Sequence, residues 1–300
     1  MRELAAATVA QEAALSYLYQ AAGIGPPSRS ARLATTTFAS EGIADPAGAA
    51  DLEVRLLGPL LVSYRGQELA PWPSQRAASL LKFLLLNHGQ PVRREVLMET
   101  FWPGFSPKSA RNNLNVTVYQ LRGQFRSHDP SRTQIVYHGG SYRLDPSLSY
   151  RVDVDDFTRA AAQGHRAADA TDLDSAVTWY QRARALYCGP LLEDEPSGDW
   201  FSEAQRRLHL DHCAVLERLC AALLDLDEPS EALAVASQLL EADPCRESAH
   251  QLLMRAYAVL RQPHLIVQQF QRCQATMRQE LAVEPSPATL DLYMSLLRGT

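Results

Sequence analysis

Apolar positions fall into two textures along the chain. Leu52-Glu53-Val54-Arg55-Leu56-Leu57 and Leu60-Leu61-Val62-Ser63-Tyr64 are short runs, separated by Gly58-Pro59 and closed by Arg65-Gly66. Such runs between turn residues predict strands. The period then becomes helical. Ser74 is a good N-cap, and Leu80, Leu81, Phe83, Leu84 and Leu85 predict a helix ending near Asn87-His88-Gly89. A second, short helix is expected from Pro91-Val92, carrying Val96, Leu97, Phe101 and Trp102, with Pro103-Gly104 breaking it. Ser106-Pro107 opens a third, running to about Phe125. Ile135-Val136-Tyr137 and Tyr142-Arg143-Leu144 then flank His138-Gly139-Gly140-Ser141, where Gly-Gly supplies the positive φ of a two-residue hairpin turn. Strands, three helices and a terminal hairpin predict an α+β winged helix-turn-helix over residues 51–148, with the hairpin as wing.

From Val152 onward the pattern is only helical, which predicts an all-α domain over 149–300. Pro229 to Ala236 aligns with Pro263 to Phe270 at an offset of 34, and Leu219, Cys220 and Leu223 align with Leu253, Met254 and Tyr257 at the same offset. That is the tetratricopeptide period, one helix pair per repeat. Ala176, Tyr180 and Ala183 at matching spacings mark Leu173 to Leu186 as part of an earlier unit. Residues 1–50 read as an Ala-rich extension and linker, partly disordered, with no function assigned.

The third helix has two faces. At about 100° per residue, Leu114, Val118, Leu121 and Phe125 form a narrow stripe that must face the core. Asn112, Val116, Tyr119, Gln120 and Gly123 lie opposite; Asn113 and Arg126 flank them, and Arg122 sits nearer the core edge. No acid stands between Ser106 and Phe125. Asn and Gln can pair bidentately with adenine, and Val can meet a thymine methyl. Arg111, Arg122 and Arg126 can neutralise phosphates, and Gly123 leaves room for close approach.

Charge supports the same division. The chain carries −5 overall, but residues 51–148 hold ten Arg and two Lys against seven acids, and residues 149–300 hold fourteen Arg and no Lys against twenty-three acids. A basic module joined to an acidic one fits a nucleic-acid partner for the first. The five cysteines form no C-x-x-C, which fits a reducing cytosol, and no apolar stretch reaches membrane-span length. His209, Cys213, Leu216 and Cys220 form one stripe, read as core rather than as metal ligands. Glu193-Asp194-Glu195 reads as a solvated loop. There is no G-x-x-x-x-G-K and no G-x-S-x-G. No cofactor, metal or enzymatic activity is expected.

Ala110-Arg111-Asn112-Asn113-Leu114 through Tyr119-Gln120-Leu121-Arg122, preceded by Val92 to Leu97 and Phe101-Trp102-Pro103, resembles the OmpR-type DNA-binding domain of the Streptomyces antibiotic regulatory protein family. Tyr150 to Phe157, Leu186-Tyr187-Cys188-Gly189-Pro190-Leu191-Leu192, Asp199-Trp200 and Arg206-Arg207-Leu208 resemble that family's bacterial transcriptional activator domain. The resemblance implies a transcription factor, usually an activator, that binds promoter repeats in double-stranded DNA, pairs there as a homodimer and contacts RNA polymerase. It implies base reading by Asn113, Val116, Thr117, Gln120 and Arg122. It also implies wing contacts by His138 and Arg143, and a transactivation loop at Pro103, Gly104, Phe105, Ser106, Pro107 and Lys108. Gln120 and His138 stand where the family often has Arg, and Ser141 replaces a usual Gly. Two other readings stay open: a protein-interaction scaffold or signal sensor with weakened DNA affinity, and a repressor that occupies a promoter.

Overall fold

The computed structural model describes residues 50–299 except 88–89 and 196–198. The extension expected over 1–50 lies outside these, apart from Ala50. Strands β1 (Leu52–Arg55), β2 (Leu61–Tyr64) and β3 (Gln67–Glu68) form an antiparallel platform. Helix α1 (Gln75–Leu86) follows, capped by Ser74, whose Oγ accepts the Ala77 N–H. Strand β4 (Val92–Arg93) and helix α2 (Arg94–Phe101) come next, then α3 (Pro107–Arg126). Hairpin strands β5 (Ile135–His138) and β6 (Ser141–Leu144) pair through Gly139 and Gly140, both at positive φ, as the Gly-Gly signal requires.

One boundary differs from expectation. Val92–Arg93 does not begin the second helix. It pairs antiparallel with Tyr142 and Ser141, so the wing is three-stranded, in the order β4-β6-β5. Buried Val92 alternates with exposed Arg93, a two-residue pattern too short to read as a strand before its partner is known.

Strand β7 (Tyr150–Val152) lies just past the expected boundary at 148, yet it pairs in parallel with β1 and completes a four-stranded sheet. The described residues from 50 to 299 belong to one compact unit. Helices α4 (Asp153–Asp169), α5 (Leu173–Leu186), α6 (Ser202–Asp225), α7 (Pro229–Ala242), α8 (Glu247–Val259) and α9 (Pro263–Thr276) pack as successive neighbours. A short π-helical turn leads to α10 (Pro287–Gly299), which rests on α8 and α9.

The repeat is visible in the backbone. Thr171, Asp227 and Arg261 each adopt positive φ two residues before the next helix begins. At each corner the following N–H reaches back to close the helix end: Asp172 to Ala167, Glu228 to Leu223, and Gln262 to Tyr257. These are three equivalent left-handed helix stops, formed without glycine. The expected contacts Ala176, Tyr180 and Ala183 are all fully buried. Gly164 of α4 allows the approach, because a Cβ there would lie 2.5 Å from the Tyr180 ring.

The helical half grips the winged helix. Asp153 accepts the Leu56 and Leu57 N–H groups at 2.9 and 2.8 Å. Gly58 donates to Pro190 and Leu192 to Leu56. The Trp200 ring packs 5.2 Å from Phe83 and 6.0 Å from Phe101. Lys82, fully buried on α1, donates to Asp194 and Glu195, both at 2.9 Å, and Ser79 adds a bond to Glu195. The acidic run read as a solvated loop is therefore corrected. Asp194 and Glu195 compensate a buried ammonium, which a linear reading could not connect to Lys82 across 112 residues.

Candidate nucleic-acid interface

Helix α3 is built as its apolar period requires. Ser106 Oγ accepts the Ser109 N–H, Pro107 occupies the first turn, and Leu114, Val118, Leu121 and Phe125 are buried against the platform and α1. The opposite face is open. Arg111, Asn112, Val116, Tyr119 and Arg126 are exposed, Tyr119 at 67 %. The Arg126 guanidinium lies over the Tyr119 ring, 5.3 Å from its centre. A Cβ at Gly123 would meet nothing within 4 Å, so this part of the helix is open to close approach.

Two expected base readers are placed differently. Thr117 is buried, and its hydroxyl donates to the Asn113 carbonyl, so neither its position nor its free hydrogen faces outward. Arg122 is half-buried, and its Nε and one terminal nitrogen both donate to the Ile135 carbonyl at 2.9 and 2.8 Å. It fastens α3 to the wing. Helical periodicity put Arg122 at the core edge, but its acceptor lies on a hairpin that the period does not describe.

Asn113 and Gln120 are half-buried. Gln120 Oε1 accepts a bond from Ser74 Oγ at 3.2 Å, tying the face to the start of α1. On the wing, His138 is exposed and Arg143 half-buried. All six residues from Pro103 to Lys108 are exposed, with Phe105 at 57 %.

The structure adds neighbours that the sequence reading passed over. Arg93 is exposed beside the wing, and Arg94 donates to the Tyr137 hydroxyl and pairs with Glu95. Tyr137 and Tyr142 rings sit 4.7 Å apart. Burial pushes the Tyr142 phenol above its ordinary value, with Tyr137 adding to the effect, so it remains a protonated donor. That donor reaches Asn115 Oδ1 at 3.4 Å. These residues come together only once Val92–Arg93 is recognised as a wing strand.

The stripe read as core is largely so. Cys213, Leu216 and Cys220 are fully buried, while His209 is half-buried and 3.8 Å from the Cys213 sulfur. Among the described residues no helix is long and apolar enough to cross a membrane.

A winged helix with an acid-free, arginine-flanked recognition face, joined to stacked helix pairs, defines a DNA-binding transcriptional regulator. Residues 71–144 match the model of the C-terminal domain of transcriptional regulatory proteins, and residues 152–297 match the bacterial transcriptional activator domain. The chain belongs to the Streptomyces antibiotic regulatory protein family. It is 27% identical to the transcriptional regulatory protein MoaR1 of Mycobacterium tuberculosis, over 86% of this chain and 83% of that one. It is also 27% identical to the regulatory protein DnrI of Streptomyces peucetius, over 83% and 93%. It matches the regulatory protein AfsR of Streptomyces griseus at 27% identity, over 85% of this chain but only 25% of that one. The structure of Mycobacterium tuberculosis EmbR in complex with a low affinity phosphopeptide shares the fold, with a TM-score of 0.72 and 24% identity, over 83% of this chain and 66% of EmbR.

Proposed function

We propose that this protein is a transcriptional activator that binds promoter repeats as a pair of copies. In this reading residues 51–148 are the DNA-reading unit and residues 149–300 the regulatory one. Helix α3 enters the major groove, with Asn112, Val116 and Tyr119 toward base edges, Asn113 and Gln120 beside them, and Arg111 and Arg126 toward phosphates. Thr117 and Arg122 serve as supports behind this face. The wing, with His138 and Arg143, follows the backbone. The loop from Pro103 to Lys108 contacts RNA polymerase, with Phe105 as its apolar tip.

One observation carries the reading: an outward face on α3 with exposed polar and apolar groups, flanking arginines and no acid. A repelling carboxylate there would oppose phosphate approach. The test is selection of randomised duplexes by the full chain at two salt concentrations. A repeated motif should be enriched. Arg111→Ala and Arg126→Ala should weaken all sequences alike and reduce the salt slope by about one each. Phe105→Ala should keep binding and lose activated transcription. Weak, salt-erased binding without a preferred sequence would refute the reading.

A further inference from the structure

Two amides on the recognition helix are each held by a hydroxyl from a different element. Gln120 Oε1 accepts from Ser74 Oγ at the start of α1. Asn115 Oδ1 accepts from the Tyr142 hydroxyl on the wing. Asn115 is exposed, and among the described residues Tyr142 is the hydrogen-bond partner of its side chain.

Both bonds run from a hydroxyl to an amide oxygen. Ser74 Oγ already accepts the Ala77 N–H as helix cap, so its own hydrogen is left to give. The Tyr142 hydroxyl, on a ring packed against Tyr137, donates to Asn115 Oδ1 on α3. An Asn or Gln amide has one acceptor end and one donor end. When the carbonyl oxygen turns inward to a hydroxyl, the NH2 group is the end left to face the groove.

This changes what the helix can read. Bidentate pairing with adenine needs the carbonyl oxygen for N6–H and the NH2 for N7 together. An amide that shows only its NH2 instead meets acceptors. In the major groove these are guanine N7 and O6, thymine O4 and adenine N7, but adenine sets its N6–H2 donor beside that N7, where guanine has a second acceptor, so a donor-only amide is opposed there.

We propose that Asn115 is a base-reading residue oriented by Tyr142, and that Asn115 and Gln120 together present donors that select guanine or thymine rather than adenine. The inference rests on α3 being the base-reading element. Tyr142 is a positioning residue, because it acts through Asn115.

The test is duplex selection by the full chain, comparing wild type with Asn115→Ala and Tyr142→Phe. Wild type should enrich a motif holding guanine or thymine at the position Asn115 reads. Asn115→Ala, at an exposed site where folding is not at stake, should flatten that position alone, by about fivefold or more in base ratio. Tyr142→Phe keeps the ring and frees the amide to turn, so the same position should admit adenine while the others hold. Adenine at that position in wild type would overturn the proposal. So would an unchanged motif in Asn115→Ala or in Tyr142→Phe. A wild type that enriches no motif would overturn it together with the reading on which it rests, and that outcome is distinct from an unchanged motif.

Discussion

The winged helix meets the helical half and the solvent in opposite ways. Against the helical half, α1 buries an ammonium, the β1–β2 turn has its backbone N–H groups capped by Asp153, and Phe83 of α1 and Phe101 of α2 pack against Trp200. Toward solvent, α3 shows Arg111, Asn112, Val116, Tyr119 and Arg126 with little holding them beyond one cation–π contact. The seam carries stability, and the open face is the one proposed to meet DNA. Substitutions at the two should therefore separate: seam variants lose folding free energy, and face variants lose DNA affinity at unchanged stability.

The largest effect is expected at Lys82. Lys82→Ala leaves the Glu195 carboxylate, whose side chain is 4% exposed, without its compensating charge. Breaking a buried pair in this way costs about 3–5 kcal/mol. The check is urea unfolding of the full chain. The double variant Lys82→Met, Glu195→Gln removes both charges and should return most of the loss, since replacing a whole buried pair is often near neutral. A loss below about 1 kcal/mol for Lys82→Ala would mean the seam is wet and the contrast with α3 is weaker than drawn.

A smaller, pH-dependent effect is expected inside the helical half, at His212. Its ring stacks on Tyr187 at 3.8 Å, and its Nδ1 is buried without a hydrogen-bond partner among the described residues. Burial, reinforced by His209 and Arg184, pushes its pKa from 6.5 down to about 4. The folded state therefore resists protonation more than the unfolded state does. Stability from this group is complete above pH 6.5 and is lost as pH falls from there through about 4. Between pH 7 and pH 5 the loss is about 2 kcal/mol. His212→Phe preserves the stack and should abolish that part of the pH dependence, as read by urea unfolding at the two pH values. An undiminished pH dependence in this variant would place its origin elsewhere.

Sequence distance separates what the sequence could reveal from what it could not. Local rules located Ser74 and Ser106 as caps, Gly139-Gly140 as the wing turn, and the buried stripe from Leu114 to Phe125, because each depends on neighbours a few residues away. The 34-residue offset revealed the helix pairs for the same reason. Long-range pairings were invisible: Val92 with Tyr142, Tyr150 with Leu52, and Lys82 with Glu195. The stretches that carried the resemblance in the helical half, Tyr150 to Phe157, Leu186 to Leu192 and Asp199-Trp200, contribute much of the seam. Their spacing could identify a family, but it did not show what they touch. On α3, periodicity separated core from surface and put Arg122 at the core edge; it was the family resemblance that implied Thr117 and Arg122 as readers. Neither the period nor the resemblance can tell whether a side chain finds an acceptor on its own helix, as Thr117 does, or on the hairpin, as Arg122 does.

The smallest effect on folding should come from Tyr119. Its ring is 67% exposed and touches the molecule chiefly through Arg126. Tyr119→Ala should change stability by less than about 0.5 kcal/mol, as for other surface substitutions without a buried partner. Its effect on DNA should be larger than that. An exposed cation–π contact is worth about 0.5–1 kcal/mol, and without the ring Arg126 must be ordered at the moment of binding. A two- to fivefold loss of affinity follows from that magnitude, at about the same cost for every sequence if Arg126 meets phosphate. Tyr119→Phe keeps the ring and should bind like wild type. If it instead falls with Tyr119→Ala, the hydroxyl touches DNA and Tyr119 reads or positions in its own right. Thermal unfolding and a binding titration on the same two variants decide the matter. A Tyr119→Ala protein that lost several degrees of Tm would show that α3's outward face is braced like the seam, and the division between a stable side and a binding side would fail.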